Sequence, residues 1–233
     1  MTNQPDPARF AHITDWVFDL DNTLYPHHCN LFSQIDVRMT TYVSQLLDLP
    51  REEARALQKE LYRQHGTTLR GLMERHQVDP DDFLEKVHDI DYSWIEPDPA
   101  LGEAIRALPG RKFIFTNGSR SHAERAAERL GVSDHFEDIF DIVAAGLTPK
   151  PAKESYDLFV ALHRIVGLNA VMFEDIARNL RVPKEIGMTT VLIVPRNFEP
   201  TYSEIWERDP DQADAVDYVT DDLKAFLKAV AAR

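Results

Sequence analysis

Six short apolar runs punctuate the chain: WVFDL (16–20), KFIFT (112–116), DIVAA (141–145), AVMFED (170–175), TTVLIV (189–194) and DYVT (217–220). They are rich in β-branched and aromatic residues and nearly continuous in apolar character, which is the pattern of strands covered on both faces of a parallel sheet. Segments of helical period lie between them. Ser121–Leu130, SHAERAAERL, opens with a Ser-x-x-Glu capping box and is followed by Gly131, a helix stop. Residues 153–166, KESYDLFVALHRIV, place Tyr156, Phe159, Val160 and His163 at helical spacing ahead of Gly167, and residues 221–231 form a last amphipathic helix. Strands alternating with helices predict an α/β fold with a doubly wound, mostly parallel sheet.

One region breaks the alternation. Residues 27–97 contain no strand candidate and carry helical patterns instead. LFSQIDVRMTTYVSQLL sets Phe32, Ile35, Met39, Tyr42 or Val43, and Leu46 on one stripe. REEARALQKELYRQ follows Pro50, and DPDDFLEKV starts with Asp79 as a cap and Pro80 in the first turn. EPDPAL (96–101) reads as the return linker. The expected organisation is therefore a core domain made of residues 1–24 and 98–233, with an α-helical cap domain inserted over residues 25–97. No internal repeat or low-complexity segment is present.

Composition narrows the setting. The chain has 233 residues, 43% of them hydrophobic, enough for one large core or a core with a small accessory unit. A net charge of −13 argues against a nucleic acid polymer or an anionic membrane as partner, while leaving room for a small anionic substrate in a locally positive pocket. The single cysteine, Cys29, allows no internal disulfide. The first residues show no basic stretch followed by an apolar one, and no run approaches the ~20 apolar residues of a membrane span. A cytoplasmic protein is the expectation; oligomeric state is not legible.

The first strand candidate ends in two aspartates, within WVFDLDNTLYP. Asp19 and Asp21 would cost several kcal/mol each to bury unpartnered. In open α/β sheets chemistry gathers at the carboxyl ends of strands, and residues two apart on extended chain point the same way. Two carboxylates on one side repel unless a cation sits between or beside them or one holds a proton, and Mg²⁺, which prefers hard oxygen ligands, is the expected cation. Other strand ends bring compatible groups: Thr116, Asn117 and Gly118 in FTNGSR offer a hydroxyl and backbone N–H groups to phosphate oxygens, Lys150 lies in TPKP, and Glu174 and Asp175 end AVMFED.

Taken in order, DLDNTLYP, TNGS, PKP and FEDIARNL resemble the four motifs of the haloacid dehalogenase (HAD) superfamily of phosphatases, and the resemblance spans nearly the whole chain. It implies a Rossmann-like core with a helical cap between the first and second motifs, and a small phosphorylated metabolite as partner. It also implies Asp19 as the nucleophile that becomes an aspartyl phosphate, and Asp21 as the acid for the leaving alcohol and then the base for water. Thr116 and the amides near Asn117 and Gly118 would hold phosphate. Lys150 would orient Asp19 and offset developing charge. Lys153 competes for that role, but Pro151 after Lys150 matches the family's Lys-Pro. Mg²⁺ would be held by Asp19, Asp175 and the backbone carbonyl of Asp21, with Glu174 assisting directly or through water. Dehalogenating relatives lack a carboxylate at the Asp21 position, because a halide needs no proton. Asn179 stands where many relatives carry a second acid.

A narrower resemblance lies in DLDNTLYP and in HGTTLRGL (65–72), which look like the pyrimidine 5′-nucleotidase branch, acting on nucleoside monophosphates such as UMP and CMP, with His65 where Tyr is usual. On that reading Thr67, Thr68 and Arg70 would recognise substrate, the guanidinium by a forked geometry. Against it stand plainer assignments: Thr67 as a helix cap and Arg70 as a solvated helix residue. Other small phosphates, a phosphomutase, and a binding protein on this scaffold are the alternatives. His27, His28 and Cys29 match no common zinc spacing. Trp16, Trp94 and Trp206 are expected to pack, as are Met172 and Met188.

Overall fold

A computed structural model of the chain describes residues 5–196 and 214–232. Six strands form one sheet: β1 (Asp15–Phe18), β2 (Arg111–Phe115), β3 (Asp138–Phe140), β4 (Ala170–Glu174), β5 (Thr189–Ile193) and β6 (Tyr218–Thr220). Their spatial order is β3-β2-β1-β4-β5-β6, and every pairing is parallel. This is the doubly wound, Rossmann-like order, in which the connections reverse direction beside β1.

The apolar runs divide by parity. Trp16, Phe18, Ile114, Val171 and Phe173 point into one core cluster, and Val17, Phe113, Phe115 and Met172 into the other. Side chains alternate faces along a strand, so a continuous apolar run serves two cores at once. The first face is covered by α5 (Pro99–Ala107), α6 (Arg120–Leu130) and α9 (Leu223–Ala231), which supply Leu101, Ile105, Ala126, Leu130, Phe226 and Leu227. The second is covered by α7 (Lys153–His163) and α8 (Arg181–Glu185), through Tyr156, Phe159 and Val182. Gly110, at φ +74°, turns the chain from α5 into β2, and a Cβ there would stand 2.1 Å from the Thr14 carbonyl oxygen.

Between β1 and α5 lie four helices, α1 (Leu31–Leu47), α2 (Arg51–His65), α3 (Thr68–His76) and α4 (Pro80–Val87). They enclose an apolar cluster of their own, including Ile35, Val43, Leu61, Leu72, Phe83 and Val87. A buried charge sits in this group: Asp36, fully buried, takes Arg55 at 2.5 Å, Lys59 at 2.9 Å and Gln58 at 2.8 Å. Among the described residues no helix is long and apolar enough to cross a membrane.

Several details depart from the pattern read in the sequence. The strand expected at 141–145 lies at Asp138–Phe140, and residues 142–147 form a turn, just before which the Asp141 side chain caps the Arg120 and Ala144 amides at 2.8 and 2.9 Å. Ser119, not Ser121, caps α6, because its hydroxyl is the one that reaches the His122 amide. The return linker is partly helix: Asp98 caps α5, which begins at Pro99. Helix α7 stops at His163, where Arg164 adopts a left-handed conformation. Trp16 is buried, with its indole N–H donating to the Pro109 carbonyl at 2.7 Å, and Met172 and Met188 are buried. Trp94 is 45% exposed and does not pack as expected, while Trp206 lies outside the described residues.

Phe159 touches Phe113, Phe115, Phe140 and His163 with ring centroids 4.9–5.7 Å apart and is fully buried. Replacing Phe159 by Ala leaves a cavity under the sheet and is expected to cost about 3–5 kcal/mol. Chemical denaturation checks it; a loss below 1 kcal/mol would mean the aromatic cluster does not anchor α7.

Candidate active site

The site lies at the carboxyl ends of β2, β1 and β4, three adjacent strands of the sheet. Asp19 and Thr116 each stand one residue beyond a strand. Their backbone N–H groups extend the sheet ladder, Asp19 to Phe173 O at 2.9 Å and Thr116 to Phe140 O at 3.0 Å. Both side chains are thereby held by sheet geometry rather than by loop conformation.

Lys150 enters from the segment before α7, across a cis Lys150–Pro151 peptide. Its ammonium is 1% exposed and donates to Asp19 Oδ1 at 2.7 Å, Glu174 Oε1 at 2.7 Å and Phe115 O at 2.8 Å. An ammonium has three protons, and all three are used. Burial works to lower the Lys150 pKa, but the Asp19 and Glu174 carboxylates outweigh it and hold the amine charged. Lys153 instead pairs with Asp157 at the surface, so Lys150 is the lysine of the site. Asn117 clamps the Lys150 backbone, donating to its carbonyl at 3.2 Å and accepting from its amide at 2.8 Å.

The expected phosphate cradle of Thr116, Asn117 and Gly118 has its own internal hydrogen bonds. The Asn117 side chain is committed to Lys150, and the Gly118 amide donates to Thr116 Oγ1 at 2.9 Å. Because Thr116 Oγ1 accepts there, its own hydrogen is the donor left for an incoming oxyanion.

Glu174 is 1% exposed and crowded with donors. Oε1 takes Lys150 and the Asn179 amide at 2.7 Å each, and Oε2 takes the Ile176 amide at 2.9 Å. Asn179, the departure from the common acidic pattern, is thereby accounted for: an amide can donate to Glu174 where an ionised acid would repel it.

Asp19 carries an electrostatic burden. Burial pushes its pKa up to about 7, Lys150 works against this, and Glu174 and Asp21 add to it. A divalent cation would relieve that excess of negative charge. Oxygen atoms of Asp19, Glu174 and Asp175 lie within 4.8 Å of one another, a hard-oxygen donor set suited to Mg²⁺. Asn179 Oδ1 is buried without a hydrogen-bond partner among the described residues and lines the same cavity, where a water carried by the ion would find an acceptor. The residues present therefore fit the ion.

Asp21 lives in a different environment. Its Oδ1 accepts from the Tyr25 hydroxyl and from His122 Nε2 at 2.9 Å. Burial works to raise its pKa, but the His122 ring and the Tyr25 hydroxyl outweigh burial, and the carboxyl sits below its ordinary value. His122 Nδ1 meets the Tyr92 hydroxyl at 2.9 Å, and the ring stacks on His88 with centroids 4.5 Å apart. Burial first, and the neighbouring His122 second, depress His88 to about 3. These partners were not singled out in the sequence. A signal was there: His122 shares the buried stripe of α6 with Ala123, Ala126, Ala127 and Leu130, and a buried imidazole demands a polar partner.

One cavity joins the two aspartates, Asn117, Gly118, Lys150, Glu174 and Asp175 to the helices above, where Thr67 and Thr68 also line it. Gly66, at φ +84°, brings this turn against Pro149, with a Cβ position 3.4 Å from the ring. Thr67 caps α3, accepting from the Arg70 amide at 3.1 Å, and the Thr68 hydroxyl donates to Gln58 O at 3.4 Å. Arg70 is placed differently from Thr67 and Thr68. It does not line the cavity, and its guanidinium pairs with Glu74 at 2.5 Å, one helical turn on, because the i, i+4 spacing offers it a nearer carboxylate than the site does. Gln58, Lys59 and Tyr62 of α2 line the cavity instead, and neither they nor the apolar wall of Phe32, Ile35, Met39, Phe83 and Val87 were picked out as substrate contacts.

The haloacid dehalogenase-like hydrolase family matches residues 17–187. Phosphate metabolism protein 8 of Saccharomyces cerevisiae is 26% identical over 227 residues, covering 88% of this chain and 68% of its own length. Among solved structures, an L-2-haloacid dehalogenase from Xanthobacter autotrophicus superposes with a TM-score of 0.57 at 14% identity, over 94% of this chain and 99% of that one. CbbY from Rhodobacter sphaeroides, solved with xylulose-1,5-bisphosphate, gives a TM-score of 0.58 at 17% identity over 90% and 94% of the two chains.

The raised Asp19 pKa has a consequence for stability. Asp19 ionises near 3.8 when unfolded and near 7 when folded, so the folded metal-free state binds the extra proton between these values and loses stability as pH rises through them. Asp19→Asn removes that charge. Its thermal midpoint without metal is expected to exceed wild type by a margin that grows from pH 4 to pH 7 and is level above. A margin independent of pH would show that Asp19 is not strained by burial.

Proposed function

Because the chain belongs to the haloacid dehalogenase-like hydrolase family, we propose that it hydrolyses phosphate monoesters, with pyrimidine nucleoside 5′-monophosphates as its substrates. The observation that carries the phosphatase reading is Asp21. A second carboxylate beside the nucleophile, held by two donors, serves a leaving group that needs a proton, and a halide needs none.

Asp19, its Oδ1 fixed by Lys150, attacks phosphorus. The bond from phosphorus to the ester oxygen breaks, and the departing oxygen keeps the electron pair and takes the proton carried by Asp21. Water then attacks the aspartyl phosphate, returns its proton to Asp21, and the bond from phosphorus to Asp19 breaks, freeing phosphate. Mg²⁺ held by Asp19, Asp175 and the Asp21 backbone carbonyl would offset the repulsion between an anionic nucleophile and an anionic phosphate. Lys150 keeps Asp19 aligned and its positive charge near the transferring group. Glu174 acts mainly by holding Lys150. The Thr116 hydroxyl binds a phosphate oxygen.

Helices α1–α4 act as the cap that closes over the substrate and excludes water. The character of the cavity favours a nucleoside as leaving group. Apolar side chains of α1 and α4 face a polar edge of Gln58, Lys59, Tyr62 and Thr67. A flat base presents an apolar face and a polar rim, whereas a sugar surrounded by hydroxyls would leave most of them unpaired against such a wall. The yeast relative, named for phosphate metabolism, supports the same reaction class.

Phosphate release from UMP, CMP, AMP, sugar phosphates and pyridoxal phosphate, with Mg²⁺ and with EDTA, tests this reading. Expected are loss of turnover in EDTA, a kcat/KM preference for UMP and CMP, and free phosphate rather than an isomeric phosphate as product. Asp19→Asn should lose at least about a thousandfold in kcat. Equal turnover of every ester would remove the nucleotide assignment, and full activity of Asp19→Asn would remove the mechanism. Separately, Asp175→Asn should raise the Mg²⁺ concentration for half-maximal rate by about tenfold or more; an unchanged Mg²⁺ requirement would take Asp175 out of the metal site.

A further inference from the structure

We propose that His122 is a positioning residue for proton transfer, pinning Asp21 so that Oδ2 is the oxygen presented to the leaving group. This rests on the phosphatase reading above and adds to it a residue outside the four motifs.

Both donors to Asp21 land on the same oxygen. Tyr25, four residues on, and His122 Nε2, at 2.9 Å from the start of α6, each bond Oδ1. Among the described residues Oδ2 makes no hydrogen bond, and Asp21 lines the cavity. A carboxylate held by one oxygen from two directions has its rotation about χ2 restricted, and its second oxygen keeps one orientation.

The imidazole is itself immobilised. Its Nδ1 meets the Tyr92 hydroxyl at 2.9 Å, its face lies against His88 at an interplanar angle of 11°, and its side chain is fully buried. Ser119 completes the support, with Oγ 3.0 Å from His88 Nδ1 and 3.3 Å from the His122 amide. Tyr92 and His88 belong to the segment that leads from α4 back to α5. The orientation of Asp21 is therefore set jointly by the sheet, by α6 and by the segment that closes the helical insert. A ring buried only for packing needs no polar atoms, whereas this one uses both nitrogens.

Leaving-group dependence tests the proposal. p-Nitrophenyl phosphate and phenyl phosphate are similar in shape, but nitrophenolate departs without a proton and phenolate is helped by one. The quantity to compare is kcat/KM, which covers steps up to release of the alcohol or phenol. His122→Ala should lose about 10–100-fold on phenyl phosphate and on UMP, and under threefold on p-nitrophenyl phosphate. His122→Gln, which keeps an N–H donor near the position of Nε2, should recover most of the loss. Tyr92→Phe should show the same pattern more weakly, and it supplies the comparison if His122→Ala does not fold. Equal loss on all esters, or none on any, with wild type active on both aryl esters, overturns the positioning role alone. A wild-type protein that hydrolyses no ester with Mg²⁺ overturns the phosphatase reading and this proposal together.

Discussion

A buried ammonium must satisfy three protons, and in this protein that requirement ties the central sheet together. Lys150 donates to Asp19 after β1, to the Phe115 carbonyl at the end of β2, and to Glu174 at the end of β4. These are three adjacent strands in the order β2-β1-β4. The lysine is solvated by protein only if those strand ends lie side by side, so the parallel order and the charge centre depend on one another. Removing the Glu174 carboxylate would leave that buried charge under-compensated, a loss of about 3–5 kcal/mol.

The same cluster is unbalanced by design of its residue types. One ammonium faces Asp19 and Glu174, with Asp21 and Asp175 close by. Burial first, and the Glu174 and Asp21 carboxylates after it, raise the Asp19 pKa against the pull of Lys150. Stability is given up at a point where a divalent cation and a phosphate would bind, the usual exchange between stability and function at an active site. Glu174 does not share that strain to the same purpose: its oxygens are taken by Lys150, Asn179 and the Ile176 amide, which makes it a holder of the lysine first.

Two aspartates separated by a single residue thus have opposite surroundings. Asp19 is raised by burial and neighbouring acids, while Asp21 is lowered by His122 and Tyr25. That order is the reverse of what a nucleophile and a proton donor need; a cation beside Asp19 would lower the one and an anionic phosphate beside Asp21 would raise the other. The divergence comes from geometry: Asp19 continues the sheet ladder and faces Lys150, and Asp21 stands in the turn that follows, within reach of α6.

The sequence by itself determined the fold class, the strand and helix order and the core chemistry of the site, because each rests on local information. Nearly continuous apolar runs mark doubly covered strands, caps and glycines mark helix ends, and motifs at strand ends mark the cavity. Helices α1 and α4 fell where the stripe, Asp79 and Pro80 placed them. Local information failed where two solutions competed at short range: Ser119 displaced Ser121 as a cap, and the 141–145 run became a turn because Asp141 caps amides there. What only the tertiary structure decided are contacts across large separations in the chain. His122 meets Asp21 from 101 residues away, and Tyr92 meets His122 from 30. A side chain takes the best partner in space, and its own sequence neighbourhood carries no record of the partners that folding brings to it.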